Sequence, residues 1–311
     1  MNEFEIIRRY FERAPKHAVL GVGDDCALLA ARAGFEIAVT TDMLVEGRHF
    51  LPGADARALG HKALAVSLSD LAATGAVPRW ATLAIALPAA DESWLGAFAQ
   101  GLFALADRHG VDLVGGDTTR GPLLVVNITA FGEVPAGTAL LRSGARPGDD
   151  IWVSGELGGA ALALAHPEIG EAAKRLHEPE PRVALGERLR ELAHAAIDVS
   201  DGLTGDLAHI LERSQVAAVV HYEQVPRAPA FKHVKDAALE KRCVLSGGDD
   251  YELLFTAPQS RRAPIESVAR QLGLPLSRIG AIRSGASSLE VLDADGRPMS
   301  YRGGFDHFAA P

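Results

Sequence analysis

The sequence predicts two α/β domains, an N-terminal one over residues 1–140 and a C-terminal one over residues 141–311. Three observations lead to this prediction. Residues 4–131 alternate helix-like and strand-like segments, a turn-rich segment follows over residues 137–150, and a new strand begins at Ile151. At 311 residues, the chain is long enough for two domains that each have a hydrophobic core.

The N-terminal elements are predicted from the spacing of apolar residues. Residues 4–12 have helical spacing, and a strand over residues 36–40 is expected to end at Thr41 and Asp42. Good helix formers over residues 55–74 predict a helix, which Gly75 and Pro78 are expected to end. Within it Ser67, Asp70 and Thr74 fall at i, i+3 and i+7, so they are expected to share one face. The remaining predicted elements are a strand over residues 81–87, a helix over 92–109 and a strand over 123–131.

The C-terminal domain is expected to start after a linker. Residues 137–150 contain three glycines and a proline, a composition typical of turns. A buried strand over residues 151–154, a glycine-rich turn and an Ala/Leu-rich helix follow. The second domain is therefore also expected to combine strands and helices.

Composition and charge exclude several classes of protein. The formal net charge of -9 and the absence of a basic run argue against a nucleic-acid partner. No signal peptide or apolar run long enough to cross a membrane is visible, so a cytoplasmic protein is expected. Cys26 and Cys243 are far apart and lack the spacing of a zinc site or a disulfide framework.

Six short acidic segments lie beside glycines or at the ends of strand-like runs. Carboxylates in apolar or glycine-rich surroundings usually have a cation as partner. We therefore predict several Mg²⁺ ions that hold a nucleotide phosphate. The segments are Asp24–Asp25, Thr40–Asp42, Ser69–Asp70, Gly115–Thr119, Asp198–Gly202 and Gly247–Glu252.

The residues around these acids have the chemistry that a hard cation or a phosphate requires. Asp42 follows two threonines, and a hydroxyl beside a carboxylate is a suitable oxygen ligand set. Asp117 follows two glycines, which would let main-chain N–H groups approach a phosphate closely. Asp198 and Ser200 are expected to face the same side of a strand end, with Asp201 at the following turn. Arg142 would supply a fixed positive charge.

Structural explanations remain open for single residues. An aspartate before a glycine is most often a turn or cap residue, and Asp206 is expected to cap a helix over residues 207–213. His49 could be a loop histidine that hydrogen-bonds to the main chain. Adjacent Asp24 and Asp25 cannot easily face one ion, so one of them is expected to be structural. Neither a Walker A motif nor a Rossmann Gly-x-Gly-x-x-Gly motif after a strand is present.

Seven motifs of this chain resemble those of the thiamine-monophosphate kinase family and occur in the same order, and the likeness extends from about residue 4 to residue 308. They are Gly21-Val-Gly-Asp-Asp-Cys-Ala-Leu-Leu29, Thr41-Asp-Met-Leu-Val-Glu-Gly-Arg-His-Phe50, Lys62-Ala-Leu-Ala-Val-Ser-Leu-Ser-Asp-Leu-Ala-Ala73, Gly115-Gly-Asp-Thr-Thr-Arg-Gly-Pro122, Asp198-Val-Ser-Asp-Gly-Leu203, Ser246-Gly-Gly-Asp-Asp-Tyr-Glu-Leu-Leu-Phe255 and Gly304-Phe-Asp-His-Phe308.

This resemblance implies an aminoimidazole-ribotide-synthetase-like fold, in which the N-terminal sheet pairs across a homodimer and a C-terminal α/β domain closes the cleft. It implies that ATP and thiamine monophosphate give ADP and thiamine diphosphate. The implied magnesium ligands are Asp25, Thr40, Thr41, Asp42, Asp70, Asp117, Asp198 and Asp201. The implied ATP contacts are Gly116, Asp117, Arg142 and Ser200, and the implied substrate contacts are His49, Asp249 and Phe305. The implied catalytic residues are Asp42, Asp70, Asp117, Arg142 and Asp198.

One position departs from the family pattern. Where the family usually has Gly-Gly-Glu-Asp-Tyr-Glu, this chain has Asp249, whose side chain is one methylene shorter. A water could bridge the shortened contact.

The related activities of selenophosphate synthesis and carbamoyl dehydration need a reactive cysteine. Cys26 is followed by Ala-Leu-Leu and is expected to be a packed thiol, and the C-terminal residues contain no cysteine. The motifs of ribotide synthetase fit this chain less well. A nucleotide-sensing protein without catalysis is the alternative from another class.

Overall fold

The computed structural model describes residues 1–301, 303 and 304, which divide into two compact units. The first unit comprises residues 1–71 and 76–137, and the second comprises residues 72–75 with the described residues from Thr138 onward. The chain begins with α1 (Glu3–Ile6), whose first turn is stabilised by a capping box between Asn2 and Glu5. A π-helical turn (Ile7–Phe11) continues it.

A four-stranded mixed sheet forms the centre of the first unit. Its strand order is β1-β4-β2-β3, with β4 antiparallel to both neighbours and β3 parallel to β2. The bounds are β1 Phe35–Val45, α2 Ala56–Thr74, β2 Val77–Leu87, α3 Glu92–His109, β3 Asp112–Arg120 and β4 Val125–Pro135.

The two faces of this sheet differ. Leu83 and Ile85 of β2 and Ile128 of β4 are almost fully buried on the face that α2 and α3 cover, which we call the inner face. Because side chains alternate along a strand, the residues between them lie on the outer face. There Ile37, Val39 and Met43 of β1 are 40–58% exposed, which is unusual for a run of apolar side chains.

The structure differs from the sequence-based prediction at two places that carry candidate ligands, the end of β1 and a strand that was not predicted. β1 does not end at Thr41 and Asp42 but continues to Val45, because Asp42 pairs with Ile128 of β4. The glycine-rich segment around Asp117 is part of strand β3, where Asp117 pairs with Ala84 of β2. Pairing with a distant strand supplies the backbone hydrogen bonds in both cases, and local glycine content does not report it.

The second unit contains a six-stranded sheet of order β10-β7-β9-β5-β8-β6. Short 3-10 turns occur after β7, before α8 and before α9. The strands are β5 Asp150–Ser154, β6 Ala195–Asp198, β7 Ala217–His221, β8 Leu253–Ala257, β9 Leu276–Arg283 and β10 Ser288–Leu292. The helices are α4 Gly159–Ala165, α5 Gly170–His177, α6 Val183–Leu189, α7 Leu203–Ser214, α8 Ala237–Ser246 and α9 Arg262–Leu272.

The hydrophobic core of this unit lies on one face of its sheet. Ile151 and Val153 of β5 pack into a cluster with buried side chains of α4, α7 and α8. Trp152 points to the opposite face, where it stacks on Phe255 with ring centroids 6.3 Å apart. Residues 72–75 are part of this unit, since Arg190 donates a 2.6 Å hydrogen bond to the carbonyl oxygen of Gly75.

Among residues 1–301, 303 and 304, no helix combines the length and the apolar character that crossing a membrane requires.

Candidate active site

Thr40 and Asp42 of β1 face α2, a helix of the first unit. Thr40 donates a short hydrogen bond from its hydroxyl to Asp70 of α2. One helical turn earlier, the Oγ of Ser67 donates to Oδ2 of Asp42 at 2.7 Å. The predicted common face of Ser67 and Asp70 therefore contacts the inner face of β1. This contact brings together three of the predicted ligands, Thr40, Asp42 and Asp70.

Burial makes Asp42 a weaker acid than an ordinary aspartate. Its removal from water, followed by the negative charge of Asp70, raises the pKa of Asp42 to about 6, although the hydrogen bond from Ser67 acts in the opposite direction. Two carboxylates are held close to each other in a partly buried place. A bound divalent cation would neutralise the two negative charges in this environment.

Thr41 does not join this group through its side chain. Strand alternation places it on the outer face, where its hydroxyl lies 3.0 Å from that of Thr129 and accepts a 3.2 Å hydrogen bond from Asn127. The structure therefore separates the side chains of three consecutive residues that the sequence grouped as one ligand set.

A second group of acids lines a cavity beside β3, at the other edge of the same sheet. The cavity has a volume of about 620 Å³, and Asp25, Gly116 and Asp117 are among its lining residues. Asp24 also lines it and accepts a 2.9 Å hydrogen bond from the main-chain N–H of Asp25. Cys26, expected to be packed, is instead exposed at the cavity wall, so that expectation was wrong. The apolar Leu28 and Leu29 after it are exposed as well.

Gly116 is required for the path of the chain at this cavity. Its φ of +144° is a conformation that other residues rarely adopt, and a Cβ there would lie 1.8 Å from the carbonyl oxygen of Leu83. The glycine lets β3 approach β2 closely, which fixes the position of the adjacent Asp117 within β3.

Two buried carboxylates that sequence reasoning missed hold the segment that carries Asp25. Asp112 accepts main-chain hydrogen bonds from residues 16–18. Glu133 accepts hydrogen bonds from the N–H and the side chain of Arg32 at 2.9 and 2.6 Å. Isolated acids within strand-like runs were the only sequence signal for them. They fix both ends of the segment over residues 18–32.

His49 is held in one tautomer by the turn after β1. Its Nδ1 accepts a 3.0 Å hydrogen bond from the main-chain N–H of Val45. When the ring is neutral, its proton is therefore on Nε2, and that nitrogen is a donor. A donor suits the predicted contact with a phosphate oxygen.

The second unit brings another predicted group together at the end of β6. Asp198 is the last residue of this strand and is buried, and the loop after it contains Ser200 and Asp201. The main-chain N–H of Asp201 donates a 3.1 Å hydrogen bond to Oδ2 of Asp206. Burial, then the charges of Asp198 and Asp201, raise the pKa of Asp206 to about 8.

The expectation that Asp206 caps a helix starting at residue 207 was wrong. The helix α7 starts at Leu203, and Asp206 lies within its first turn. Its carboxylate accepts hydrogen bonds from the loop that carries Ser200 and Asp201. Sequence reasoning thus missed Asp206 as a member of the acidic group.

The loop that carries Asp249 lies directly against this group. The N–H of Asp249 donates to the carbonyl oxygen of Ser200 at 2.9 Å, and the hydroxyl of Tyr251 donates to Oδ1 of Asp249, also at 2.9 Å. Asp249 and Tyr251 have φ values of 66° and 50°, which is uncommon outside glycine. Tyr251, another residue missed at the sequence level, thereby orients the proposed substrate contact.

Two further acids anchor this loop. Asp250 accepts a 2.7 Å hydrogen bond from the N–H of Gly158. Glu252 is fully buried and accepts hydrogen bonds from Arg182, Arg175 and Ser154, at 2.7, 3.0 and 2.6 Å respectively. These contacts stabilise the strained backbone conformation of Asp249 and Tyr251.

The acidity of Asp250 leads to a prediction for the ligand-free protein. Burial, with smaller contributions from Glu252 and Asp249, raises its pKa to about 8. The folded state therefore keeps a proton that the unfolded state has lost, so this residue makes the protein less stable as pH rises from about 4 to about 8. We expect Asp250→Asn to remove this loss, which urea unfolding of both proteins between about pH 5 and about pH 8 would measure.

The matched control for this experiment is Asp295→Asn, since Asp295 is 69% exposed. The prediction fails if the difference in unfolding free energy between the wild type and Asp250→Asn is independent of pH.

Arg142 lies on the surface of the second unit, next to β6. The N–H of Ala196 donates to the carbonyl oxygen of Leu141 at 3.3 Å, and the hydroxyl of Ser214 donates to that of Arg142 at 2.8 Å. The side chain of Arg142 is exposed. Phe305 lies outside the described residues, and Gly304 before it lies against Gly205 and Asp201.

The donor atoms of these groups suit Mg²⁺ better than a softer metal. The predicted ligands are carboxylates and hydroxyls, so every donor is an oxygen. Within the described part of the chain, no three His, Cys, Asp or Glu side chains converge closely enough to hold an ion by themselves. Phosphate oxygens and water would have to complete the coordination, as is usual for Mg²⁺ at nucleotide sites.

Comparison with known proteins identifies the family. Residues 23–134 match the family model of the AIR synthase related protein N-terminal domain, and residues 146–291 match that of the C-terminal domain. The chain is 44% identical over 324 residues to the thiamine-monophosphate kinase of Salmonella typhimurium, and the alignment covers 100% of this chain and 99% of that protein. The chain belongs to the thiamine-monophosphate kinase family.

Solved structures agree with this family. The crystal structure of thiamine-monophosphate kinase from Stenotrophomonas maltophilia superposes with a TM-score of 0.85 at 47% identity, covering 95% of this chain and 96% of that chain. AaThiL complexed with AMPPCP and TMP superposes with a TM-score of 0.78 at 29% identity, covering 90% and 89%. The family and the fold class predicted from the motifs are thus confirmed.

Proposed function

We propose that this member of the thiamine-monophosphate kinase family transfers the γ-phosphoryl group of ATP to thiamine monophosphate, which gives ADP and thiamine diphosphate. This is the last step of thiamine diphosphate biosynthesis. The observation that carries the proposal is 44% identity to a thiamine-monophosphate kinase over the whole chain. A relative of the same fold was solved with AMPPCP and TMP, which the proposed reaction would explain.

The chemistry of the acceptor decides what the residues must do. A phosphate monoester is already largely ionised at neutral pH, so no strong general base is needed. Direct in-line transfer without a phosphorylated side chain follows, and trapping a phosphoenzyme during turnover would contradict it. The difficulty is repulsion between two polyanions, which bound Mg²⁺ would reduce while aligning the reacting oxygens.

The proposed roles follow from the position of each group in its own unit. In the first unit, Asp42, Asp70 and Thr40 would hold Mg²⁺ at the β1 edge, and Asp25 and Asp117 at the β3 edge. In the second unit, Asp198 and Asp201 would hold Mg²⁺ beside Ser200. Arg142 would bind a phosphate oxygen, and Asp249, His49 and Phe305 would contact thiamine monophosphate.

Release of ADP tests this function. We expect release from ATP and Mg²⁺ to depend on thiamine monophosphate, and chelation of the metal to abolish it. Thiamine and a ribotide precursor serve as control acceptors. A protein that binds Mg-ATP and releases no ADP would be a sensor, and transfer to the ribotide precursor would indicate the other branch of the superfamily.

We propose in addition that the enzyme is a homodimer built on the outer face of the first sheet. Ile37, Val39 and Met43 expose an apolar surface there that a second copy would bury. The predicted ligands support the same conclusion. Asp42 lies on β1 and Asp117 on β3, three strand spacings or about 14 Å apart, and they face opposite sides.

One Mg²⁺ cannot bind both carboxylates of a single copy, because its ligands lie at about 2.1 Å. Thr41 and Asp117 do share the outer face, so a second copy packed on this face could bring its Asp117 beside Thr41 of β1, the edge strand whose inner face carries Asp42. A complete site would then take residues from both copies.

Coexpression of two inactive variants tests this arrangement. Asp42→Asn and Asp117→Asn should each be inactive, but a mixed dimer would contain one intact site, so about a quarter of wild-type activity is expected. The matched control is Asp42→Asn coexpressed with Asp70→Asn, since both residues lie at the β1 edge and no site would be intact. Equal activity of the two mixtures would rule out the shared site.

A further inference from the structure

A second cavity lies in the C-terminal unit, in a region to which the proposed reaction assigns no role. It has a volume of about 440 Å³, which is within the range of small-molecule sites. Strands β7 and β9 form its floor, and the start of α9 contributes to its wall through Arg262. We call it the β9 groove. Its charged and polar lining side chains are Asp150, His221, Gln224, Gln259, Arg262, Arg278, Arg283 and Ser284.

The groove is positive in a chain whose net charge is -9. Three arginines line it against one carboxylate, Asp150. Arg262 neutralises this carboxylate with two hydrogen bonds of 2.6 and 2.7 Å, and Arg278 is 3.9 Å from it. Glu290 of β10 is on the same side of the sheet but does not line the groove. The groove therefore has a surplus of positive charge.

Several polar groups of the groove have no partner in the described part of the chain. No hydrogen bond or ion pair joins them to another described residue. They are the side chains of His221, Gln224, Gln259, Arg283 and Ser284. Donors that converge on one cavity without protein acceptors are suited to a ligand that brings its own acceptor oxygens.

The groove is separate from the acidic group of this unit. Asp198 pairs with Leu253 at the start of β8, whereas Asp150 pairs with Ala257 at its end. These positions are about 13 Å apart along the strand. A ligand in the groove would therefore not occupy the place of a ligand bound at Asp198.

We propose that the β9 groove binds a small anion of the phosphate class that carries at least two negative charges. Guanidinium groups match the geometry of phosphate oxygens, and Arg283 and Arg278 have the capacity to bind one. Gln224 and Gln259 donate further hydrogen bonds at the rim. The site does not require Mg²⁺, because its own side chains supply the positive charge, and this separates it from the acidic groups.

Titration calorimetry with inorganic pyrophosphate, in buffer containing EDTA, tests the proposal. Chelation removes phosphate binding that depends on Mg²⁺. We expect saturable binding to the full chain and at least a tenfold loss of affinity in Arg283→Gln and in Arg278→Gln. The matched control is Arg297→Gln, which removes the same charge from a side chain that is 78% exposed outside the groove.

Absence of saturable binding would overturn the proposal. Equal weakening by Arg283→Gln and Arg297→Gln would also overturn it, because binding would then follow net charge alone. Melting temperatures of the variants show that each is folded. Arg283→Gln is expected to turn over ATP and thiamine monophosphate at the wild-type rate, so the result is independent of the proposed kinase reaction.

Discussion

Asp42→Asn is expected to lower turnover by about a hundredfold or more while leaving the ligand-free protein at least as stable as the wild type. Asp42 is partly buried beside Asp70, and this environment raises its pKa to about 6. An amide of the same shape would relieve the repulsion and still accept the hydrogen bond from Ser67. It would bind Mg²⁺ far more weakly than a carboxylate does.

The measurements are the turnover number at saturating ATP and Mg²⁺ and the melting temperature in EDTA. Adding Mg²⁺ should raise the melting temperature of the wild type more than that of the variant. Asp107→Asn is the matched control, because Asp107 is about half exposed and bonded only to surface cations. Parallel losses of turnover and stability in Asp42→Asn would mean that this residue is structural.

Glu252→Gln is expected to destabilise the protein by about 3–5 kcal/mol. Glu252 is fully buried and binds Arg182, which is itself 15% exposed, through two guanidinium nitrogens. The substitution removes the negative charge that pairs with this arginine, whose positive charge then remains at a largely buried position. The loop of Asp249 precedes Glu252 directly, so its orientation should become less defined at the same time.

Urea unfolding of the variant and of Glu156→Gln gives the comparison. Glu156 binds Arg175 at 3.2 Å from a partly exposed position, so its loss should cost only about 0–1 kcal/mol. Similar losses of unfolding free energy in the two variants would show that the buried ion pairs of Glu252 contribute little more to stability than the partly exposed ion pair of Glu156.

The sequence was most informative where a motif coincides with a local structure. The spacing of Ser67 and Asp70 predicted a common helix face, and both residues contact β1 from that face. The stretch Asp198 to Gly202 was expected at a strand end followed by a turn, and it forms one. Helical periodicity and strand-to-turn transitions depend on neighbouring residues, which the sequence displays directly.

Strand pairing limited the prediction elsewhere. The glycines before Asp117 were interpreted only as giving a phosphate close access to main-chain N–H groups. The strand to which they belong, β3, was not predicted, because it forms by pairing with β2. For the same reason, Thr41 was grouped with Asp42, although the two side chains lie on opposite faces of β1. Which strand pairs with which is a property of distant residues, and short windows do not contain it.

Supporting residues were the hardest to find. Asp112, Glu133 and Glu252 position the candidate site through partners 70 to 101 residues away in the sequence. Asp112 and Glu133 lie outside every motif, because a carboxylate that accepts main-chain or arginine hydrogen bonds needs no fixed neighbour, and Glu252 ends a motif that does not disclose its arginine partners. The supporting role of such residues becomes visible in the three-dimensional structure.

The last turn of α2 limits how this protein can be divided. Residues 72–75 belong to the second unit, where Gly75 accepts the hydrogen bond from Arg190 and Gly186 packs against the carbonyl oxygen of Ala72. A gene fragment that starts at residue 138 would therefore encode an incomplete unit, with Arg190 and the surface around Gly186 left uncovered. Chimeras joined at this boundary inherit the same defect, unless the four residues come from the same parent as the C-terminal unit.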